Sequence, residues 1–248
     1  MTEMIVIVVA ASIGAFVKGV TTMGLALIAV PIIALFLDVQ TAILSLFLSK
    51  MLSDLTMLLE SKRGLEWQSS WRLASFALGG AIAIPIATLV LAKAKDQWLY
   101  LVLGLTIVIF VAYQMHPRPL TIRREEEKSW GAFFGMAAGA TQGLTGAGGP
   151  YTAMYLYSLK LTTGEFVFLS SVIYLLFDFS QIGAILYFDL YDRTRLLYAL
   201  STMIPVMAGT WLGIHVRGKL DPVTFRRSIL LLLALSGGGL MARGLGLR

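Results

Sequence analysis

Gln142-Gly143-Leu144-Thr145-Gly146-Ala147-Gly148-Gly149-Pro150 interrupts a long apolar segment with four glycines and a proline. Inside a bilayer, lipid offers the backbone no hydrogen-bond partner, so irregular chain there must be buried in protein or line a polar cavity. Glycine permits the turn, and Pro150 suits the first turn of a new helix. A half-helix starting there would present unpaired N–H groups and the positive end of its dipole, an arrangement suited to an anion. A tightly packed kink without a ligand is the other reading of the same residues.

Outward from this break the chain stays apolar. Of its 248 residues 57% are hydrophobic and 14% charged, with a mean hydropathy of +0.79, whereas soluble domains carry about 25% charged residues. A helix needs roughly 20 apolar residues to cross a bilayer core. Suitable segments run over Met4–Leu37, Thr41–Leu59, Trp71–Ala92, Trp98–Gln114, Trp130–Leu159, Phe166–Phe188, Leu196–Val216 and Ser228–Leu247. The sequence therefore predicts an all-α membrane protein of about eight hydrophobic segments. Trp67, Trp71, Trp98 and Trp130 sit near segment ends, where an indole prefers the headgroup level. The N-terminal stretch lacks a basic n-region and cleavage site, so Met4 onward reads as the first membrane segment. With no cysteine, disulfides, thiolate metal sites and cysteine nucleophiles drop out. The net charge of +6 sits in loops between segments, where cytoplasmic retention accounts for it and nucleic acid is not implied.

Shifted by 124 residues, half its length, the sequence overlies itself. Lys18-Gly19-Val20-Thr21-Thr22-Met23-Gly24 falls on Gln142-Gly143-Leu144-Thr145-Gly146-Ala147-Gly148, and Asp54 falls on Asp178. After a small gap Ala83-Ile84-Pro85 meets Met203-Ile204-Pro205. This register predicts two repeats of four segments, 1–115 and 130–248, joined by a polar linker at 116–129 that holds Glu125, Glu126 and Glu127 among basic residues. Internal duplication is common in secondary transporters, which place substrate at broken helices between repeats. Met4–Leu37 is too long for one span at about 1.5 Å per residue. Interrupted near Gly19 to Gly24, it reads as a re-entrant hairpin, two short spans or one broken helix. A hairpin or two crossings puts twelve basic residues on one side against six; a single crossing gives eleven against seven. The first split favours inverted repeats, with both termini away from the cytoplasm.

Gly131, Gly135, Gly139 and Gly143 recur every four residues, over Ile7, Ala11, Ala15 and Gly19 in the first half. Such a ridge of small residues lets helix backbones approach closely in lipid and implies no chemistry. The segments Val17-Lys18-Gly19-Val20-Thr21-Thr22-Met23-Gly24-Leu25-Ala26-Leu27-Ile28-Ala29-Val30-Pro31 and Gly139-Ala140-Thr141-Gln142-Gly143-Leu144-Thr145-Gly146-Ala147-Gly148-Gly149-Pro150 resemble the paired signatures of the TauE/SafE sulfite exporter family. The resemblance covers essentially the whole chain. It implies transport of small sulfur-containing anions such as sulfite, sulfonates or thiosulfate across a bacterial inner membrane. Thr22 departs from the family's usual glycine, which implies a hydroxyl contact at the first break rather than a symmetric pair of backbone nests. The missing cysteine argues against the cysteine-dependent thiosulfate uptake of a related family.

Only Lys18, Lys50, Asp54 and Asp178 place charge well inside the segments, where each costs on the order of 3 kcal/mol on insertion scales and calls for a partner or a function. Lys18 adjoins the first break and would either neutralise a bound anion or else snorkel or pair with a carboxylate. Lys50 and Asp54 are four apart and predict a salt bridge on one helix. Asp178 has Tyr174 where Lys50 would be, so it is a candidate proton carrier or the partner in a bond between repeats. The anion site is expected at Lys18, Gly19, Thr21, Thr22, Gly24, Gln142, Gly143, Thr145, Gly146, Gly148 and Gly149, as donors without competing carboxylates. His116 and His215 match no metal spacing, and no Walker A, HExxH or nucleophile elbow occurs. No cofactor is expected. The partners expected are a sulfur anion, the bilayer and, as coupling ion, protons; an oligomer is compatible. An anion channel or a membrane scaffold are the alternative readings, and a membrane-embedded enzyme lacks any polar catalytic pair at short spacing.

Overall fold

The computed structural model describes residues 2–61, 73–116, 122–123, 125–159, 161–219 and 221–246. Ten helices and no strand occur among them: α1 (Thr2–Thr21), α2 (Leu25–Ala34), α3 (Val39–Ser61), α4 (Ala74–Lys93), α5 (Asp96–Met115), α6 (Glu127–Thr145), α7 (Gly149–Ser158), α8 (Thr163–Tyr187), α9 (Arg193–Val216) and α10 (Pro222–Gly244). Seven of them, α1, α3, α4, α5, α8, α9 and α10, are long and apolar enough to cross a membrane. The chain is a multi-pass membrane protein. Its outer faces are those of a lipid-solvated bundle: on α4, Leu78, Ile82 and Ile86 recur at helical spacing, each more than 60% exposed.

The helices start where the sequence supplies caps. Asp192 accepts from Arg195 N–H, Asp221 accepts from Thr224 N–H with Pro222 in the first turn, and Thr162 and Glu165 form a capping box. The Asp221 cap starts the last helix six residues before the expected Ser228. Glu127, expected in the linker, instead opens α6. Trp98 and Trp130 lie in the first turns of α5 and α6 and are exposed. Trp67 and Trp71, the start of the third expected segment and much of the linker lie outside the described residues.

The two overlong segments are each two helices. Gly14 on α1 faces the Leu25 carbonyl and Ala29, and Gly24 faces Val17, so α2 runs back alongside α1. Tyr155 OH on α7 donates to the Glu127 carbonyl at 3.1 Å, so α7 runs back alongside α6. The ridge Gly135, Gly139, Gly143 lies on Phe76, Gly80 and Ile84 of α4, where an added Cβ at Gly135 would come within 2.1 Å of the Phe76 carbonyl oxygen. The ridge reading holds. α1 meets α9 in the same manner, with Ala15 against Gly209 and Gly19 against Gly213.

Polar contacts identify two ends of the bundle. At the first end, Glu3 accepts from Tyr198 OH at 2.6 Å, Tyr100 OH and Arg243 donate to the Ala34 carbonyl, and Arg195 donates to Gln40. At the second, Arg226 donates to Gln114, and Arg217 donates to the Gly19 carbonyl. α1 thus starts at the first end and α6 at the second.

Candidate functional site

The chain between α1 and α2 and the chain between α6 and α7 are neighbours. A Cβ built on Gly149 would lie 3.5 Å from Met23, and one on Gly146 would lie 3.8 Å from Ala26. Thr22 and Gly146, equivalent in the 124-residue register, share a left-handed backbone at φ 71° and 69°. For a β-branched residue that conformation is a genuine outlier and costs roughly 1–2 kcal/mol.

Between them lies a cavity of about 30 Å³ lined by Lys18, Thr22, Gly24, Lys50, Asp54, Gln142, Gly146, Gly149 and Tyr174, with Met23, Leu25, Ala26, Leu27 and Ala147. It has room for one or two waters. Three buried polar atoms near it have neither a hydrogen bond nor an ion pair, Thr22 Oγ1, the Tyr174 hydroxyl and Asp178 Oδ2, while Asp54 Oδ1 is held by the Lys18 ion pair alone. Thr152 lies near the Tyr174 hydroxyl without forming a bond of ordinary geometry. No hydrogen bond engages the N–H groups of Leu25, Ala26 and Leu27 among the described residues, as the first turn of a helix requires.

The four intramembrane charges form one chain of contacts. Lys18 Nζ is 2.8 Å from Asp54, Lys50 Nζ is 3.2 Å from Asp54, and Lys50 Nζ is 2.5 Å from Asp178. Two positive and two negative groups leave the buried cluster neutral, which satisfies the demand for partners. The expected Lys50–Asp54 pair is present, and Asp178 makes the contact across the two halves. Lys18 pairs with a carboxylate. Lys50 also sits 5.8 Å above the Tyr174 ring, the residue standing at its own position in the second half. Gln142 Nε2 donates to Gln181 Oε1 at 2.9 Å and reaches Asp178 Oδ1 at 3.4 Å, while its Oε1 accepts from Gly148 N–H at 3.1 Å.

Six of the expected site residues, Lys18, Thr22, Gly24, Gln142, Gly146 and Gly149, line this cavity. The other five do other work. Gly19 and Gly143 bring α1 and α6 against α9 and α4. Thr145 Oγ1 donates to the Thr141 carbonyl and lies 3.4 Å from the Ala147 N–H, and Gly148 is held by Gln142. Thr21 donates back to the Val17 carbonyl and to the Met23 carbonyl, facing away into a larger cavity. The expectation of donors without competing carboxylates does not hold, because Asp54 is in the lining. α3 brings it there along with Lys50, and the break sequences alone do not show which helix backs them.

That larger cavity, of about 720 Å³, is lined by Val17, Thr21, Gly24 and Leu27 on one side and by His116, Tyr157, Arg217 and Arg226 on the other, with no carboxylate in its lining among the described residues. It shares Met23, Gly24 and Leu27 with the small cavity. A third, of about 270 Å³, joins Thr22 to Arg217. Arg217 donates from Nε and a terminal nitrogen to the Gly19 carbonyl at 3.1 and 2.6 Å, closing the C-terminal end of α1. Burial lowers its pKa from the ordinary guanidinium value, but a guanidinium keeps its charge in proteins. Arg217, Tyr174 and Gln181 were not marked as site residues from sequence. Gln181 had one signal, its position three residues from Asp178 on the same helix face.

A helical membrane bundle with two folded-back half-helices, meeting at a small cavity with buried charged groups in its lining beside a cationic vestibule, belongs to the class of membrane transporters. The chain matches the Sulfite exporter TauE/SafE family model over residues 6–240. It belongs to the TauE/SafE sulfite exporter family, a family of membrane transporters and not of enzymes. No curated protein and no solved structure matches it.

Proposed function

We propose that the protein is a secondary transporter, working as an exporter, of small sulfur-containing anions such as sulfite, sulfonates or thiosulfate. The anion is bound between the two breaks at mid-membrane depth. The observation that carries this reading is the convergence on one cavity of a strained, unpartnered Thr22 hydroxyl, the free N–H groups opening α2 and the ammonium groups of Lys18 and Lys50. An oxyanion takes its hydrogen bonds from such donors.

The two halves, 1–115 and 130–248 about the linker 116–129, act as inverted repeats related by an axis in the membrane plane. α1 and α6 start at opposite ends, and the α4–α6 contact repeats as α9–α1. The second end carries Arg123, Lys128, Arg217, Lys219, Arg226 and Arg227, and in our reading this excess of basic residues supports a cytoplasmic second end in a bacterial inner membrane, with the termini on the other side. Protons are the coupling ion, exchanged at Asp178, whose Oδ2 lacks a hydrogen bond. The vestibule is then the cytoplasmic approach, and the small volume between the breaks favours a carrier over an open channel.

Reconstitution into proteoliposomes tests the reading. Sulfite flux should saturate with concentration, compete with other sulfur oxyanions and follow an imposed pH gradient. Flux that rises linearly with sulfite and ignores competitors would make the protein a channel, and no flux with any sulfur anion would remove the substrate class.

A further inference from the structure

α10 touches the bundle mainly through α5, and the two helices diverge along their length. Near the first end they are in close contact: a Cβ on Gly104 would lie 3.1 Å from the Gly237 carbonyl oxygen, and one on Gly244 would lie 2.6 Å from Leu101. Toward the second end larger side chains replace the glycines and a groove of about 750 Å³ opens between α5 and α10. Its walls are apolar, with buried Val111 and half-buried Leu230 in its depth and exposed Ala234 at its far end, and its polar lining among the described residues is Gln114, Arg226 and Arg227. No carboxylate lines it among the described residues. Met115 and Leu231 on its rim are 73% and 64% exposed, facing where the bilayer lies.

We propose that this groove is a binding site for an anionic phospholipid, with one acyl chain along Val111, Leu230 and Ala234 and the phosphate on Arg226 and Arg227. Both arginines lie in the early turns of α10, at headgroup level if Asp221 marks the helix entry to the membrane. The run from Ile229 to Ala234 is apolar, and Ala234 lies eight positions beyond Arg226, about 12 Å deeper at helical rise. A guanidinium binds phosphate through paired N–H donors, and basic pockets between membrane helices select anionic headgroups. A zwitterionic lipid would bring a third cation to a site that already holds two. Arg226 reaches Gln114 Oε1 at 3.1 Å and also the Gln114 carbonyl, and this contact separates the groove from the vestibule, since Gln114, Arg226 and Leu230 line both. The site is independent of which anion is transported.

Native mass spectrometry of the full chain should show one tightly held phosphatidylglycerol, with phosphatidylcholine of the same chains and chainless glycerol phosphate both far weaker. At about 1 kcal/mol for each arginine, the double variant Arg226→Gln/Arg227→Gln should bind phosphatidylglycerol roughly thirty-fold more weakly. Arg226→Lys/Arg227→Lys should keep most of the affinity. Ala234→Phe, which fills the groove and leaves both arginines, should lose binding as well. Equal binding of phosphatidylcholine overturns the proposal, as does glycerol phosphate matching the lipid, because the site would then be one for free phosphate. Unchanged affinity in the glutamine variant or in Ala234→Phe overturns it too.

Discussion

The two breaks share a register and a backbone turn, yet they treat their polar groups in different ways. At the second, Gln142 accepts from Gly148 N–H, and Thr145 lies beside Ala147 N–H, so the loop's donors are engaged from within. At the first, Lys18 stands in place of Gln142 and turns to Asp54, Thr22 holds the left-handed position with its hydroxyl unused, and the N–H groups opening α2 have no partner. Gly24 sits at φ 136°, whereas its counterpart Gly148 sits at −70°. The second break engages its loop N–H groups from within, while the Gly149 and Tyr151 N–H groups that open α7 have no partner among the described residues, as at the start of α2. The first break leaves the Thr22 hydroxyl free as well, and in our account it makes the closer contact with the anion.

The largest effect expected is on the charges behind the breaks. Asp54 holds both Lys18 and Lys50, so Asp54→Asn leaves two buried ammonium groups with the single carboxylate of Asp178. It should destabilise the protein by about 3–5 kcal/mol, measured by thermal unfolding in detergent. Asp178→Asn keeps the Lys18–Asp54–Lys50 set and should be milder in stability while removing the pH dependence of sulfite flux. Wild-type pH dependence in Asp178→Asn would make both aspartates structural.

The glycines of the second break separate packing from binding. A Cβ at Gly148 would lie 2.7 Å from the Ala138 carbonyl oxygen and 2.9 Å from Gln142, so Gly148→Val should cost a few kcal/mol through overpacking as well as abolish transport. Gly149 differs: an added Cβ would meet Met23 and the Tyr174 hydroxyl at an ordinary 3.5 Å. Gly149→Ala should fold normally, fill part of the cavity and raise the KM for sulfite several-fold. An unchanged KM would place the anion elsewhere.

Much of this arrangement was legible in the sequence. The breaks at Gly24 and Gly146, the glycine ridge of α6 and the Lys50–Asp54 pair are short-range features, read from spacing and helical period. The Lys50–Asp178 contact joins residues 128 apart and depends on α3 lying against α8, which no local pattern encodes. The same holds for Arg217 against Gly19 and for Tyr174 beneath Lys50. Asp54 could be assigned a partner from its own helix, but its place in the cavity lining follows only from the packing of α3 behind both breaks.

The central claim is that Thr22 is held in an unfavourable backbone conformation because its hydroxyl serves the anion, and Thr22→Val tests it most directly. Valine keeps the branched shape and the strain while removing only the hydroxyl. Because that hydroxyl is buried without a partner, its loss should leave the thermal stability of the unliganded protein unchanged or slightly higher. A hydrogen bond to a charged acceptor is worth about 1.5–3 kcal/mol, so sulfite should bind the variant roughly ten- to a hundred-fold more weakly in titration calorimetry. Wild-type sulfite affinity in a folded Thr22→Val protein would contradict the account.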